Sequence, residues 1–315
     1  QVGSDDPATA TPTPAGGDEV LVGAYISNIQ EIRPENNSYL ASVYVWFRWR
    51  NPDLRPYETI DIVNVFESWG LTQTTTLDEP ITQSDGSLYF VTRYQGSFNS
   101  PLFLTDFPFG TQYLQLVLED FETGSEALTF VVGPESAAID PGITIPGYSI
   151  GQPTIEAKDF VYSSAFGDLD VQAEESYSRV TVTIPVSPPG LPNVIKYLVP
   201  VLIVLVAASL AFFVPPTNLG DRIALGMTAL LTLVAMQWSA TEGLPSVSYL
   251  TLLDVVYLIG YVYVLACLGQ SIRVAYLARQ VSSEQAAASD RRTFVVVAGL
   301  LVLLSAAAFT IFLAR

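Results

Sequence analysis

The sequence predicts an all-β extracellular sandwich followed by an all-α four-helix transmembrane domain, and three observations carry that expectation. Polar, turn-rich text runs from Gln1 to about Ile195, and long apolar runs take over from Lys196, which places a membrane boundary between them. In the first part, apolar and polar residues alternate with period two in short segments separated by turn residues, the pattern of half-buried strands. In the second, four runs at about 196–214, 221–242, 247–273 and 293–314 each supply roughly the 20 helical residues that span a hydrocarbon layer.

Residues 1–19, with "SDDPATATPTPAGGDE", read as a flexible N-terminal tail. Residues 20–195 form the sandwich: "VLVGAYISNI", "YLASVYVWFRWR", "SLYFVTRYQGSF", "YLQLVLEDF", "ALTFVVG" and "RVTVTIPV" read as strands, and "SDGS", "NPD" and "PGI" as turns. About eight to ten strands of this length suit two packed sheets. In "PLFLTDFPFGTQYLQLVLEDF", Phe107 and Phe109 flank Pro108, so a rigid turn presents two rings that a membrane domain below could receive.

Residues 196–315 form the membrane domain. Arg222 lies in its first connection and Arg273, Arg279, Arg291 and Arg292 in its third, whereas the second, "GLPSVS", has no basic residue. Basic loops stay in the cytoplasm, which puts the sandwich outside and expects a secretory signal removed before Gln1. Before Lys196 there are 26 Asp and Glu against 7 Lys and Arg, and from Lys196 onward 5 against 7. Solubility accounts for such an acidic domain; above a membrane it also concentrates cations.

With no histidine and one cysteine, Cys267, the chain cannot build an internal disulfide, a zinc centre, a Cys-His nucleophile or a Ser-His-Asp triad. No spacing among the acids singles out a catalytic pair. The expectation is no enzyme, no catalytic residues, no metal site, no cofactor and no nucleic-acid partner. Any proton sensitivity must come from carboxylates with shifted pKa values.

The order of sandwich, "FPFG" loop, strand and four membrane helices behind a proline-containing link resembles the pentameric ligand-gated ion channels of the Cys-loop receptor superfamily. The bacterial members are the most similar, since they lack both the cysteine pair around the aromatic-proline loop and the long insertion between the last two helices. The resemblance runs from about Val20 to the C-terminus. It implies a homopentameric, cation-selective, ligand-gated channel in the bacterial plasma (inner) membrane, multi-pass, with its N-terminal domain extracytoplasmic. Implied partners are the lipid bilayer, permeant monovalent cations and a small-molecule agonist of the cationic-amine kind, with divalent cations as candidate modulators.

In that family the second membrane helix lines the pore. Here it reads "GDRIALGMTALLTLVAMQWSATEGLP", and Asp221, Ala224, Thr228, Leu231, Ala235, Trp238 and Glu242 recur every third or fourth residue, on one stripe. The helix rise sets the two acids roughly 30 Å apart, one at each mouth, where rings of carboxylates attract cations. Asp221-Arg222 matches the acid-base pair at the cytoplasmic start of this helix in cation-conducting members; helix capping also accounts for Asp221. Leu231 matches the family's apolar constriction, although packing between helices is the other role of such a residue. Trp238 replaces a smaller aliphatic residue, and either narrows the outer mouth or tucks behind neighbouring helices.

By motif alignment, Phe121 and Glu122 in "LVLEDFETGS" supply one wall of the agonist pocket. Tyr162, Phe166 and Tyr177 come from the hairpin "KDFVYSSAFGDLDVQAEESYSRVTV", and Tyr44 comes from the opposite subunit's "VYVWFRW". Aromatic faces beside a carboxylate suit a cation; strand-pair packing is the alternative. Phe107, Pro108 and Phe109 form the coupling triplet. The family's acid after that triplet is Gly110 here, and the link "TIPVSPPGLPNVIKY" has no arginine; losing both partners together is nearly neutral. The triplet is therefore expected to press on "GLPSVSY" by packing alone. Asp254 is expected to pair with a neighbour or bind an ion. Two rivals differ in class: a membrane-anchored sensor or adaptor without a pore, and a membrane-bound carboxylate hydrolase.

Overall fold

The computed structural model describes residues 17–164, 176–280, 288–296 and 298–299. Its strands are β1 (Asp18–Arg33), β2 (Ser38–Trp49), β3 (Ile60–Ile62), β4 (Thr72–Thr75), β5 (Ile81–Thr82), β6 (Leu88–Asn99), β7 (Gln112–Asp120), β8 (Leu128–Val131), β9 (Ala137–Ile139), β10 (Ser149–Ile150), β11 (Thr154–Val161) and β12 (Ser176–Ser187). One sheet runs β4-β6-β2-β1-β8, with β5 on β6 and β9 on β1; the other runs β10-β12-β7-β3, with β11 on β12. The chain is thus a β-sandwich followed by apolar helices, as its alternation predicts. Asp18 and Glu19, read as tail, open β1 instead and pair in parallel with Leu128 and Thr129.

The period-two pattern fixes which face is dry. Val180, Val182, Ile184 and Val186 of β12 and Leu114, Leu116 and Leu118 of β7 are fully buried, facing Val43, Val45 and Phe47 of β2 in one core. Each such side chain contributes about 1.5–3 kcal/mol by leaving water, so a register slip of one residue would expose the whole set. Gly23 lies opposite Trp46, and a Cβ there would sit 2.2 Å from the indole. Only glycine lets that ring lie flat across β1.

Among the described residues, three helices are long and apolar enough to cross a membrane: α1 (Gly190–Phe213), α2 (Leu219–Thr241) and α3 (Leu252–Gln280). In α1, residues Val194–Leu198 form a π turn just ahead of Pro200, whose missing N–H leaves no donor for a regular turn. In α2, Arg222, Gly226, Ala229 and Leu233 are buried, one face at helical spacing. A Cβ on Gly226 would meet Leu268 of α3 at 2.4 Å, so that glycine sets how closely the two helices approach.

The third apolar run was expected from residue 247, but Leu244 and Val247 pack against the sandwich core and α3 starts only at Leu252. The cause is a capping box: Asp254 Oδ2 accepts from the Thr251 N–H and hydroxyl at 3.0 and 2.7 Å, and Thr251 Oγ1 accepts from the Asp254 N–H at 3.2 Å. Residues 288–296 are helical; most of the fourth expected span, 293–314, lies outside the described residues.

Candidate functional site

The seven residues of the predicted stripe on α2 and its C-cap, Asp221, Ala224, Thr228, Leu231, Ala235, Trp238 and Glu242, are all exposed. Leu231 is 66% and Trp238 76% exposed, so the indole does not tuck behind the other described helices of its own chain. The opposite face of α2 is the buried one. Within the subunit, α1 and α3 therefore leave uncovered the side that carries both carboxylates.

Arg222 departs from the sequence expectation of a loop cation. Its side chain is 1% exposed and pairs with Asp290 at 2.6 Å, while its Nε donates to the Val214 carbonyl at 2.9 Å. The first-turn position of Arg222 on α2 points it into the bundle, while Asp221, one residue and about 100° earlier, points out.

The junction between sandwich and helices corrects the expectation of packing alone. Phe107 does pack, belonging to the margins of both apolar cores and meeting the Tyr197 ring edge-on at 5.6 Å. Backbone hydrogen bonds add to it. The Pro108 carbonyl accepts from Asn193 Nδ2 at 2.6 Å, the Leu104 N–H donates to the Tyr249 hydroxyl at 3.0 Å, and the Leu252 N–H donates to the Thr105 carbonyl at 2.8 Å. The aromatic-proline loop is gripped by α1 on one side and by the α2–α3 connection on the other. Phe109 is half-buried beside them. Truncating the half-buried Phe107 to Ala removes about 2 kcal/mol of contact. Phe107→Ala is therefore expected to lower the melting temperature of the detergent-solubilised protein, and an unmoved melting temperature would show that this ring carries little of the junction.

Among the predicted agonist residues, Phe121 is 56% exposed at the end of β7, and Glu122 is exposed, its N–H donating to Asp120 Oδ1 at 3.1 Å. The rings of Tyr162 and Tyr177 meet at 5.8 Å. Phe166 lies outside the described residues. Tyr44 is half-buried on β2 and carries the Arg93 guanidinium 5.7 Å from its ring centre.

The carboxylate beside the rings is Glu119, which motif alignment missed. Register places it opposite Arg179 on β12; Arg179 Nε donates to Glu119 Oε2 at 2.7 Å, and the Tyr162 hydroxyl donates to Glu119 Oε1 at 2.7 Å. The Arg179 guanidinium lies 3.4 Å from the Phe160 ring centre. Rings and a carboxylate do lie side by side here, but the carboxylate is Glu119 instead of the expected Glu122, and the Arg179 guanidinium already lies among them. Burial first and then the bond to Glu119 hold the Tyr162 hydroxyl above the usual phenol pKa. Among the described residues no group of His, Cys, Asp and Glu is placed to hold a metal ion.

A β-sandwich over apolar helices that cross a membrane more than once is the build of a multi-pass membrane protein, and the comparisons with known proteins agree. A family model described as the neurotransmitter-gated ion-channel transmembrane region matches residues 197–305. Gamma-aminobutyric acid receptor subunit alpha-2 of Bos taurus is 20% identical over 290 residues, covering 83% of this chain and 61% of the relative. Subunit theta of Mus musculus is 21% identical, covering 82% of this chain and 42% of the relative. Subunit beta of Caenorhabditis elegans is 24% identical, covering 61% and 33%. The chain spans about three fifths of the length of the alpha-2 relatives. The membrane part of this chain is thus similar to the transmembrane region of neurotransmitter-gated ion channels, and most of its length is similar to gamma-aminobutyric acid receptor subunits.

Proposed function

We propose that this chain is one subunit of a homopentameric, cation-selective, ligand-gated channel of a bacterial inner membrane, with the sandwich on the extracytoplasmic side. The observation that carries the reading is the uncovered, acid-ended face of α2. Apolar sequence directed at lipid has no use for a carboxylate at either end of one stripe, whereas five such stripes around a water-filled axis place a ring of acids at each mouth. Cation preference rests on this chain's own Asp221 and Glu242. The bacterial setting rests on the resemblance, including the lack of a cysteine pair around the loop at Phe107–Phe109.

Purified full-length chain in liposomes tests it: salt-gradient reversal potentials are read while amines, protons and calcium are screened. A potential near that of the permeant cation, from a particle of five chains, is the expected result. Absence of flux under every condition favours the rival membrane-anchored sensor.

Agonist binding is proposed at the Phe121, Tyr162 and Tyr177 wall, completed by Tyr44 of a second copy. An amine there competes with Arg179 for the Phe160 and Tyr162 rings. Releasing a cation–π site worth about 0.5–2 kcal/mol, Arg179→Gln should lower the half-activating concentration of an amine found in the screen by roughly five- to tenfold. A raised or unmoved midpoint would place amine binding elsewhere.

A further inference from the structure

We infer that Gln237 is the point at which movement of the sandwich is handed to α2, so that it acts as a positioning residue for Trp238 and Glu242; the inference rests on the channel reading of the exposed stripe. Gln237 is half-buried on α2 beside that stripe, and both ends of its amide are held by α3. Nε2 donates to Asp254 Oδ1 at 3.2 Å, and Oε1 accepts from the Tyr261 hydroxyl at 2.6 Å. The orientation is dictated by chemistry: a carboxylate only accepts, so the nitrogen must face Asp254 and the oxygen is left for the hydroxyl.

The other end of this clamp is tied to the sandwich. Asp254 spends its second oxygen on Thr251, closing the capping box of α3, and the next residue, Leu252, donates its N–H to the Thr105 carbonyl of the aromatic-proline loop. A second run passes through packing: Phe107 meets Tyr197 at 5.6 Å, Tyr197 packs on the apolar cluster that contains Tyr257, and Tyr257 lies beside Tyr261 at 6.5 Å. Two lines from one loop thus converge on one side chain of α2.

An amide in an apolar span is costly to unpair, so Gln237 follows its partners on α3 instead of letting go. The following residue is Trp238, 76% exposed, and Glu242 lies about one turn beyond it. A displacement of the α3 N-terminus pulls α2 at Gln237 and rotates those two side chains with it.

The probe is a thiol placed by Trp238→Cys in the full chain in liposomes, read by its rate of modification with a membrane-impermeant methanethiosulfonate carrying an ammonium group. The native Cys267 is buried and free. Gln237→Leu and Asp254→Ala are each expected to change the rate roughly five- to tenfold, and combined they should change it no further than the larger single effect. The exchange Asp254→Asn with Gln237→Glu keeps every hydrogen bond while moving the charge across. It should return the rate to within about twofold of the parent. Single variants within twofold of the parent, additive effects, or failure of the exchange to restore the rate would each overturn the inference. A parent thiol that never reacts overturns the channel reading instead, and so tells the two failures apart.

Discussion

Neutralising both ends of the α2 stripe, Asp221→Asn with Glu242→Gln, is expected to abolish the proposed preference for cations while leaving the protein folded. Both side chains are exposed, so neither substitution breaks an internal contact. A single carboxylate about 8 Å from a passing ion contributes only about 0.5 kcal/mol in water before screening. Five in a ring sum to about 2.5 kcal/mol, enough to enrich cations more than tenfold over neutral walls. The effect is large because the ring lies within about one Debye length of the axis, and it should shrink as salt is raised. In reconstituted protein under a potassium chloride gradient, the reversal potential of the double variant is expected to collapse toward zero. Undiminished cation selectivity would mean that the two acids do not share an aqueous axis, and the function proposed for α2 would fall with it. Asp221→Asn alone also loses the favourable placement of an anion in the first helical turn, a cost of about 0.3–1 kcal/mol. Glu242→Gln is therefore the cleaner single test.

What the sequence disclosed and what it hid follow from the range of the interactions concerned. The sandwich was legible because long strands such as β2, β6, β7 and β12 repeat their burial every second residue. The short strands β3, β5, β9 and β10 hold two or three residues each, too few for a period to appear, which is why fewer strands were expected than form. The α2 stripe was legible because helical spacing is local. Arg179 and Glu119 meet across 60 residues, through a register that no single segment reveals, although each sits at an outward position of an alternating strand. The grip on the aromatic-proline loop uses backbone groups at Leu104, Thr105 and Pro108. Every residue carries such groups, so the sequence gives no sign of which ones are used. The missing acid-arginine pair was read as leaving packing alone; what replaces it is hydrogen bonding of the chain itself.

Removing Asp290 should destabilise the membrane domain more than any surface change, by about 3–5 kcal/mol, because it leaves a cation stranded. Arg222 is 1% exposed and Asp290 8% at the side chain. With the carboxylate gone, the Val214 carbonyl alone among the described partners still accepts from the guanidinium. Even with the pair intact, Arg222 Nη1 and Asp290 Oδ1 have no partner among the described residues, so the site has little reserve. Asp290→Ala is expected to lower the melting temperature of the detergent-solubilised protein markedly, whereas Arg222→Met with Asp290→Leu should recover most of the loss, since an apolar pair of similar volume carries no desolvation cost. An Asp290→Ala variant within about 1 kcal/mol of the parent would show that water reaches the guanidinium. The pair also joins the start of α2 to the helical segment 288–296, and it does so from the residue next to Asp221. The acid-base dipeptide that reads as one signature in the sequence therefore divides its work by direction. Asp221 faces out on the exposed stripe while Arg222 fastens the helix behind it, so loosening Arg222 should blunt selectivity by letting that acid wander, without any change to the acid itself.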